Sequence, residues 1–221
     1  MQSVTPTPQE IKSRHFIQNL IEEGEHVHQD FKYQISDARK IARSISAFAN
    51  NDGGHLLIGV KDNGKIAGVQ SDEEIYMIEQ AASMYCKPEQ TAHFSVYRIE
   101  GKSVVKVDID KAASRPVLAQ DDNHRWRAYY RVADENIIAD SLQVKVWHNA
   151  KRHDGAVIEL TEAEHILIDY IKSNGSITLN EFMTVAHISH RSAETAVINL
   201  CSMKALSIVY QDGAFVIAAA D

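Results

Sequence analysis

The chain has 221 residues, of which 44% are hydrophobic and 24% are charged, and its formal net charge is −7. This composition excludes a disordered chain, because it provides enough apolar surface to build a core. The negative charge argues against nucleic-acid binding by bulk electrostatics, since phosphates are neutralised by clustered Lys and Arg. Any nucleic-acid site must therefore be local.

Cysteine usage and the lack of long apolar runs indicate the compartment. Cys86 and Cys201 are far apart in sequence and lack the spacing of a metal site or of a disulfide framework. The first residues lack the apolar core of a signal peptide, and no apolar run approaches the roughly 18 residues of a membrane span. We therefore expect a soluble, cytoplasmic protein that makes no membrane contact.

The first two thirds of the chain have the pattern of mixed helices and strands. In chain order we first predict a helix from Pro8 to Ile21, a strand over Val27–Tyr33, a helix over Asp37–Asn50 with Ser36 as its cap, and a strand over His55–Val60. A hairpin turn at Asp62–Gly64 then leads to a returning strand over Lys65–Val69, and a helix runs from a capping box at Ser71–Glu74 to Tyr85. Strands follow over His93–Ile99, Ser103–Ile109 and Arg127–Val132, and a last helix runs from Ser141 to Arg152.

The last part of the chain has a different pattern, which begins after a break at His153–Gly155. Three predicted helices precede two short strands around Asp212-Gly213, an order typical of a small winged helix. The helices are predicted over Glu162–Ser173, Leu179–Val185 and Ser189–Lys204. We therefore predict two domains, residues 1–155 and residues 156–221.

Several short motifs follow one another in the first domain. They are Asp30–Lys32, Ala47–Asn50, Gly53-Gly54, Leu57–Val60, Asp62, Gly64 and Gly68-Val69. In order and spacing this set resembles the Schlafen-type AlbA-like DNA-binding domain family, found in many bacterial transcriptional regulators. The resemblance extends over roughly residues 20–135. It implies an α+β fold, in which helices pack on a mixed sheet, and binding to DNA or RNA.

Basic residues are concentrated around these motifs despite the negative total. The segment Arg125–Arg131 also interleaves aromatic side chains, which can stack on bases while the arginines neutralise phosphates on one strand face. A single binding site requires the basic residues to converge beside the Gly53-Gly54 turn. The candidate nucleic-acid-binding residues are Lys32, Arg39, Lys40, Arg43, Asn50, Lys61, Lys65, Arg115, Arg125, Arg127, Tyr130 and Arg131.

The turn from Asn50 to Gly54 has two compatible interpretations. It can serve packing alone, because Asn and Gly adopt positive φ and small residues allow a helix to lie close to a strand. Alternatively, its backbone N–H groups and the Asn50 side chain approach a phosphate.

Some Schlafen-type proteins are metal-dependent RNA nucleases with three acidic residues, and the resemblance implies Glu25, Asp30 and Asp62 as the matching catalytic positions. Three carboxylates can hold Mg²⁺ or Mn²⁺ and activate water. Asp30 stands where the family has the longer Glu. The eleven histidines lack metal-ligand spacing, so we expect no metal or cofactor outside the nuclease hypothesis.

Three functions remain open. The first is a DNA-binding transcriptional regulator that contacts the phosphate backbone as a homodimer. The second is the metal-dependent RNA nuclease. The serines and cysteines lack an activating base for covalent catalysis, and the sequence favours a protein that is not an enzyme. The third is a protein-interaction module, because residues 156–221 contain three Lys and Arg against eight Asp and Glu.

Overall fold

The computed structural model describes residues 8–149 and 159–220, and its contacts divide the chain into two units between Ile138 and Ala139. The predicted boundary after residue 155 lies outside the described residues. The helix that begins at Ser141 was expected to close the first domain, but it belongs to the second unit. Leu142 and Val146, one turn apart on this helix, are buried in the core of the second unit.

Over residues 8–138, the first unit contains four β-strands in one sheet, four in another, and three helices. In chain order they are α1 (Pro8–Glu23), β1 (Gln29–Lys32), α2 (Ala38–Asn50), β2 (Gly54–Ile58), α3 (Glu73–Met84), β3 (Cys86–Lys87), β4 (Ala92–Ile99), β5 (Lys102–Ile109), β6 (Leu118–Gln120), β7 (Trp126–Val132) and β8 (Glu135–Ile138). The first sheet has the order β1-β2-β5-β4, in which only the β1–β2 pair is parallel. The second has the order β3-β6-β7-β8 and is antiparallel. The predicted α+β class with a mixed sheet is confirmed.

Helix α2 lies at the centre of the first unit. From Ser44 to Asn50 every residue is buried, and its Ala and Ser residues allow close approach to strands of both sheets. Only the first half reaches the surface, through Arg39, Lys40 and Arg43. The predicted cap was wrong by one residue, because the side chain of Asp37, not Ser36, accepts the Arg39 N–H.

Two local predictions after β2 were also wrong. Gly59 has a φ of +87°, which turns the chain out of the strand, and the segment Lys65–Val69 forms only a single bridge, between Ile66 and Val60. The predicted capping box at the start of α3 is absent from the structure. The carboxylate of Glu74 instead accepts the N–H groups of Ile35 and Gln70.

Within residues 139–149 and 159–220, the second unit combines four helices with one antiparallel sheet of order β10-β11-β9. Its elements are α4 (Ser141–Asn149), α5 (Glu162–Asn174), β9 (Ser176–Ile177), α6 (Leu179–Ala186), α7 (His190–Ser202), β10 (Leu206–Gln211) and β11 (Ala214–Ala219). Thr161 and Thr178 begin α5 and α6 with capping boxes, which fix where both helices start. None of the helices in the described part of the chain is both long and apolar enough to cross a membrane.

Candidate nucleic-acid interface

Three arginines come together where α2 meets the second sheet. Arg39 and Arg43 are one turn apart on the exposed half of α2, and Arg127 lies on β7. Burial raises the pKa of Tyr129, whereas the charges of Arg43 and Arg127 lower it, so both guanidinium groups lie near the same hydroxyl. We call Arg39, Arg43 and Arg127 the arginine cluster.

The arginine cluster has donors that the fold leaves unused. The Nε atom of each of the three side chains is shielded from solvent, and among the described residues none accepts a hydrogen bond from it. Unpaired buried donors are uncommon and cost free energy, so three in one place need an explanation. An anion that accepts from Nε and Nη together is the ligand that this guanidinium geometry favours.

Two neighbours complete the surroundings of the cluster. The guanidinium of Arg39 lies 5.1 Å from the centre of the Tyr85 ring, a cation–π contact. The carbonyl of Tyr85 accepts the Gln120 N–H at 3.0 Å, which ties this contact to β6. The cluster is therefore held by α2, the end of α3 and the second sheet together.

An acidic loop between β6 and β7, residues 121–125, borders the cluster. Oδ2 of Asp122 lies 2.6 Å from Nη2 of Arg43, and Oδ2 of Asp121 lies 3.8 Å from Nε of Arg127. Burial alone would lower the Arg43 pKa, but the hydrogen bond to Asp122 and the nearby charges of Tyr129, Asp122 and Asp37 together outweigh it and raise that pKa. Backbone N–H groups, first that of Arg125, hold the Asp121 pKa below its usual range. The Asp121 carboxylate is thus ionised near neutral pH.

The predicted stacking surface on β7 was wrong, because alternate residues of a strand point to opposite faces. Arg127, Tyr129 and Arg131 lie on the face toward α2, where Tyr129 is part of the core. Trp126 and Tyr130 lie on the other face, and the Lys87 ammonium sits 4.3 Å from the Trp126 ring centre. The one aromatic side chain of this strand that shares a face with Arg127 and Arg131 is Tyr129, which is buried in the core and cannot stack on a base.

Asn50 is a structural residue, which corrects its predicted contact with phosphate. Its side chain is fully buried; Nδ2 donates to the carbonyls of Val117 (2.8 Å) and Tyr129 (2.9 Å), while Oδ1 accepts the Val117 N–H at 2.7 Å. These bonds join the end of α2 to β7 and to the segment before β6. The Asn50 amide therefore uses both its donor nitrogen and its acceptor oxygen for partners inside the fold, and not for a ligand.

The Gly53-Gly54 turn also serves packing. A Cβ on Gly54 would lie 2.4 Å from Cδ1 of Phe48, and the Gly53 N–H donates to the Phe48 carbonyl at 3.0 Å. A cavity of about 320 Å³ beside the turn is bordered by His28, whose ring lies 2.9 Å from the Gly53 carbonyl, and by Lys111, which pairs with Asp52. The packing interpretation explains the turn without a phosphate.

Arg131 is buried, which corrects its predicted role at the surface. Its side chain is 1% exposed and its Nη2 lies 3.6 Å from Asp30 Oδ1. The same guanidinium donates to the carbonyl of Gln29 and to Asn136, and it packs on the ring of Phe48. It crosslinks β7, β1 and α2.

The remaining basic candidates do not converge on one surface. Lys32 donates to Asp30 at 2.8 Å, and Lys61 lies over the Tyr33 ring. Arg115 donates to the Asn50 carbonyl at the far end of α2, about 17 Å along the helix from Arg39. Burial raises the pKa of Tyr130 and the charge of Arg115 lowers it, so Tyr130 lies near Arg115. Lys40, Lys65 and Arg125 are exposed.

The three candidate catalytic carboxylates are not assembled into a metal site. Within residues 8–149 and 159–220, no group of three His, Cys, Asp or Glu side chains is placed to hold a metal ion. Glu25 and Asp30 are neighbours: burial, and then the Asp30 carboxyl, raise the Glu25 pKa. Asp62 is exposed in the hairpin turn, and Glu25 accepts the Phe31 N–H at 2.8 Å. The Glu25–Asp30 pair therefore joins the segment after α1 to β1.

Sequence reasoning missed Tyr85, Asp121, Asp122 and Tyr129 as neighbours of the cluster. The available signal was the Asp-Asp pair that precedes Arg125 and Arg127 within one hairpin. Strand β6 has only three residues and was not predicted, so the hairpin that places the Asp pair beside the arginines was not recognised.

Comparison with known proteins gives the family. No curated protein matches the chain. The DIP2311 protein from Corynebacterium diphtheriae is similar at 18% identity and a TM-score of 0.44, over 75% of this chain and 40% of its own. The chain therefore spans less than half of that protein.

A second solved structure is the N-terminal domain of a Nitrosomonas europaea protein described as related to the ATP-dependent DNA helicase RecG. It is 19% identical with a TM-score of 0.42, over 65% of this chain and 94% of its own. The profile of the Schlafen, AlbA_2 family matches residues 25–140, more than half of the sequence. The chain belongs to the Schlafen, AlbA_2 family.

Proposed function

We propose that this protein binds nucleic acid through the arginine cluster and acts as a DNA-binding transcriptional regulator. Family membership supports an interaction with nucleic acid. The observation that carries the proposal is the set of three shielded Nε donors, on Arg39, Arg43 and Arg127, that lack an acceptor within the described chain.

A phosphate backbone fits these donors better than a base edge does. Arginine forks pair with phosphate oxygens through Nε and Nη, and such contacts position a protein without selecting a sequence. Lys40 and Arg125 are exposed on the same helix and the same hairpin and extend the positive surface. A cluster of this size satisfies the requirement for a local site in a chain of net charge −7.

For the second unit we propose a winged helix that contacts protein, either a partner or a second copy in a homodimer. The order of α5, β9, α6, α7, β10 and β11 supports this assignment. Residues 159–220 contain three Lys and Arg against seven Asp and Glu, a balance that opposes contact with phosphates.

The test is a salt titration of binding to a labelled 20-base-pair duplex and to single-stranded RNA of the same length. We expect affinity to fall steeply with salt, and Gln at all three cluster positions to reduce the slope of log K against log salt by about three. Arg98→Gln, an exposed arginine on β4, is the control with an equal charge change per site. A flat salt response, or equal effects of Arg98→Gln and Arg43→Gln, would overturn the proposal.

A further inference from the structure

The acidic loop has a fixed backbone. The Asp121 N–H donates to the Arg125 carbonyl at 2.8 Å, and the His124 N–H donates to the Asp121 carbonyl at 3.0 Å. Oδ1 of Asp121 accepts the N–H groups of Asn123 and Arg125 at 2.9 and 2.8 Å. The carboxylate of Asp121 is therefore part of the turn itself.

Asp122 is placed differently from Asp121. Its side chain is 61% exposed, and it reaches out of the loop to the guanidinium of Arg43. Adjacent residues of one loop thus place one carboxylate at Arg43 and another beside Arg127. Asp122 is the one whose release leaves the backbone bonds of the turn intact.

A carboxylate and a phosphate use the same donors of a guanidinium fork. Asp122 already occupies Nη2 of Arg43, while the Nε atoms of the cluster are shielded from solvent. A phosphate that binds Nε and Nη together cannot reach them in this conformation. The groups that cover the cluster must move first, and the acidic loop contacts two of its three members.

We propose that the acidic loop masks the arginine cluster, and that nucleic acid binds by displacing Asp122 from Arg43. This inference rests on the proposed function and adds its regulation. A single phosphate gains little by exchanging one anion for another at Arg43. A polyanion gains more, because it also engages the other cluster members, so the loop selects for polymeric nucleic acid over free phosphate.

The test compares Asp122→Asn with Asp110→Asn in the full-length chain. Asp110 is exposed and pairs with His93 after β5, so both variants remove one negative charge from the first unit. Binding of the labelled duplex and of the single-stranded RNA is measured by fluorescence anisotropy, with and without inorganic phosphate. We expect Asp122→Asn to tighten binding about three- to fivefold, the factor that a partly exposed ion pair contributes.

Each outcome separates the masking from the binding itself. Tighter binding by Asp122→Asn, with Asp110→Asn within twofold of the parent protein and phosphate a weak competitor, supports the mask. Binding by the parent protein with equal affinities for the two variants overturns the mask and leaves the proposed function in place. No binding by any of the three proteins at low salt overturns both.

Discussion

Arg131 and Asp30 form an ion pair in which both side chains are almost completely withdrawn from solvent, 1% and 4% exposed. Burial alone would raise the pKa of Asp30, but Glu25, Lys32 and Arg131 outweigh it and hold that pKa below its usual range. The pair links β7 of the second sheet to β1 of the first. The arginine that sequence placed at the binding surface instead holds the two sheets together.

Arg131→Met should therefore destabilise the protein without affecting its binding surface. Removing one partner of a buried pair costs about 3–5 kcal/mol, and we expect the lower end because Lys32 and Ser44 still contact Asp30. Urea unfolding gives the loss of free energy. Arg125→Met is the control in the same hairpin, with a change below about 0.5 kcal/mol because Arg125 is exposed.

Nucleic-acid affinity of the folded Arg131→Met protein should stay within twofold of the parent. Unchanged stability together with weakened binding would return Arg131 to the interface and contradict its structural role.

Asn50→Ala should cost about 3 kcal/mol, because it removes the acceptor of the buried Val117 N–H and the donors to the carbonyls of Tyr129 and Val117, of which the latter keeps the Ser46 hydroxyl. Asn63→Ala, in the exposed turn after β2, removes one bond to the Lys65 N–H and should cost less than about 1 kcal/mol. Thermal and urea unfolding of both variants make the comparison. Equal losses of unfolding free energy in the two variants would mean that the buried Asn50 hydrogen bonds contribute no more to stability than the exposed Asn63 bond does.

Glu25→Gln should stabilise the protein at pH 7. Burial and the Asp30 carboxyl raise the Glu25 pKa above its usual 4.5, so ionised Glu25 is less favourable in the folded than in the unfolded chain. The cost of ionisation is present above the folded pKa and is absent below the unfolded pKa. Gln keeps an oxygen for the Phe31 N–H.

The gain from Glu25→Gln at pH 7 should be about half a kcal/mol, because solvent screens a partly exposed pair, and it should disappear as the pH falls below about 4. Urea unfolding across that pH range measures it. A gain that grows toward low pH has the wrong sign for this explanation. Glu23→Gln, on the last turn of α1, provides the exposed control.

The long elements of the fold could be predicted from the sequence, whereas the interior of the site could not. The β4–β5 hairpin and the helices carry clear periodicity and end at Gly residues or at capping side chains. Strands β3 and β6 have two and three residues, too short for any period to be visible. Without β6, nothing in the sequence indicates that Asp122 faces Arg43.

The arginines show the same limit. Arg127 and Arg131 lie on the same face of one strand and have the same chemistry, yet the Arg127 side chain is 42% exposed and the Arg131 side chain 1%. Their exposure differs because α2 and β1 cover Arg131 more completely than Arg127. This covering depends on contacts between residues about 100 positions apart in the sequence. Composition and local pattern cannot carry this information.

Helix α7 should contribute little to nucleic-acid binding, although it occupies the position of a recognition helix in the proposed winged helix. Glu194, on its second turn, pairs with Lys145 of α4 and with His190. Arg191 is the single Lys or Arg of α7, and the second unit as a whole carries more acidic than basic residues. We expect Arg191→Gln to change duplex affinity less than twofold, whereas Arg43→Gln lowers it about fivefold. If the two substitutions weaken binding equally at the same salt concentration, α7 is a DNA-contacting helix and the assignment of the second unit to protein contacts is wrong.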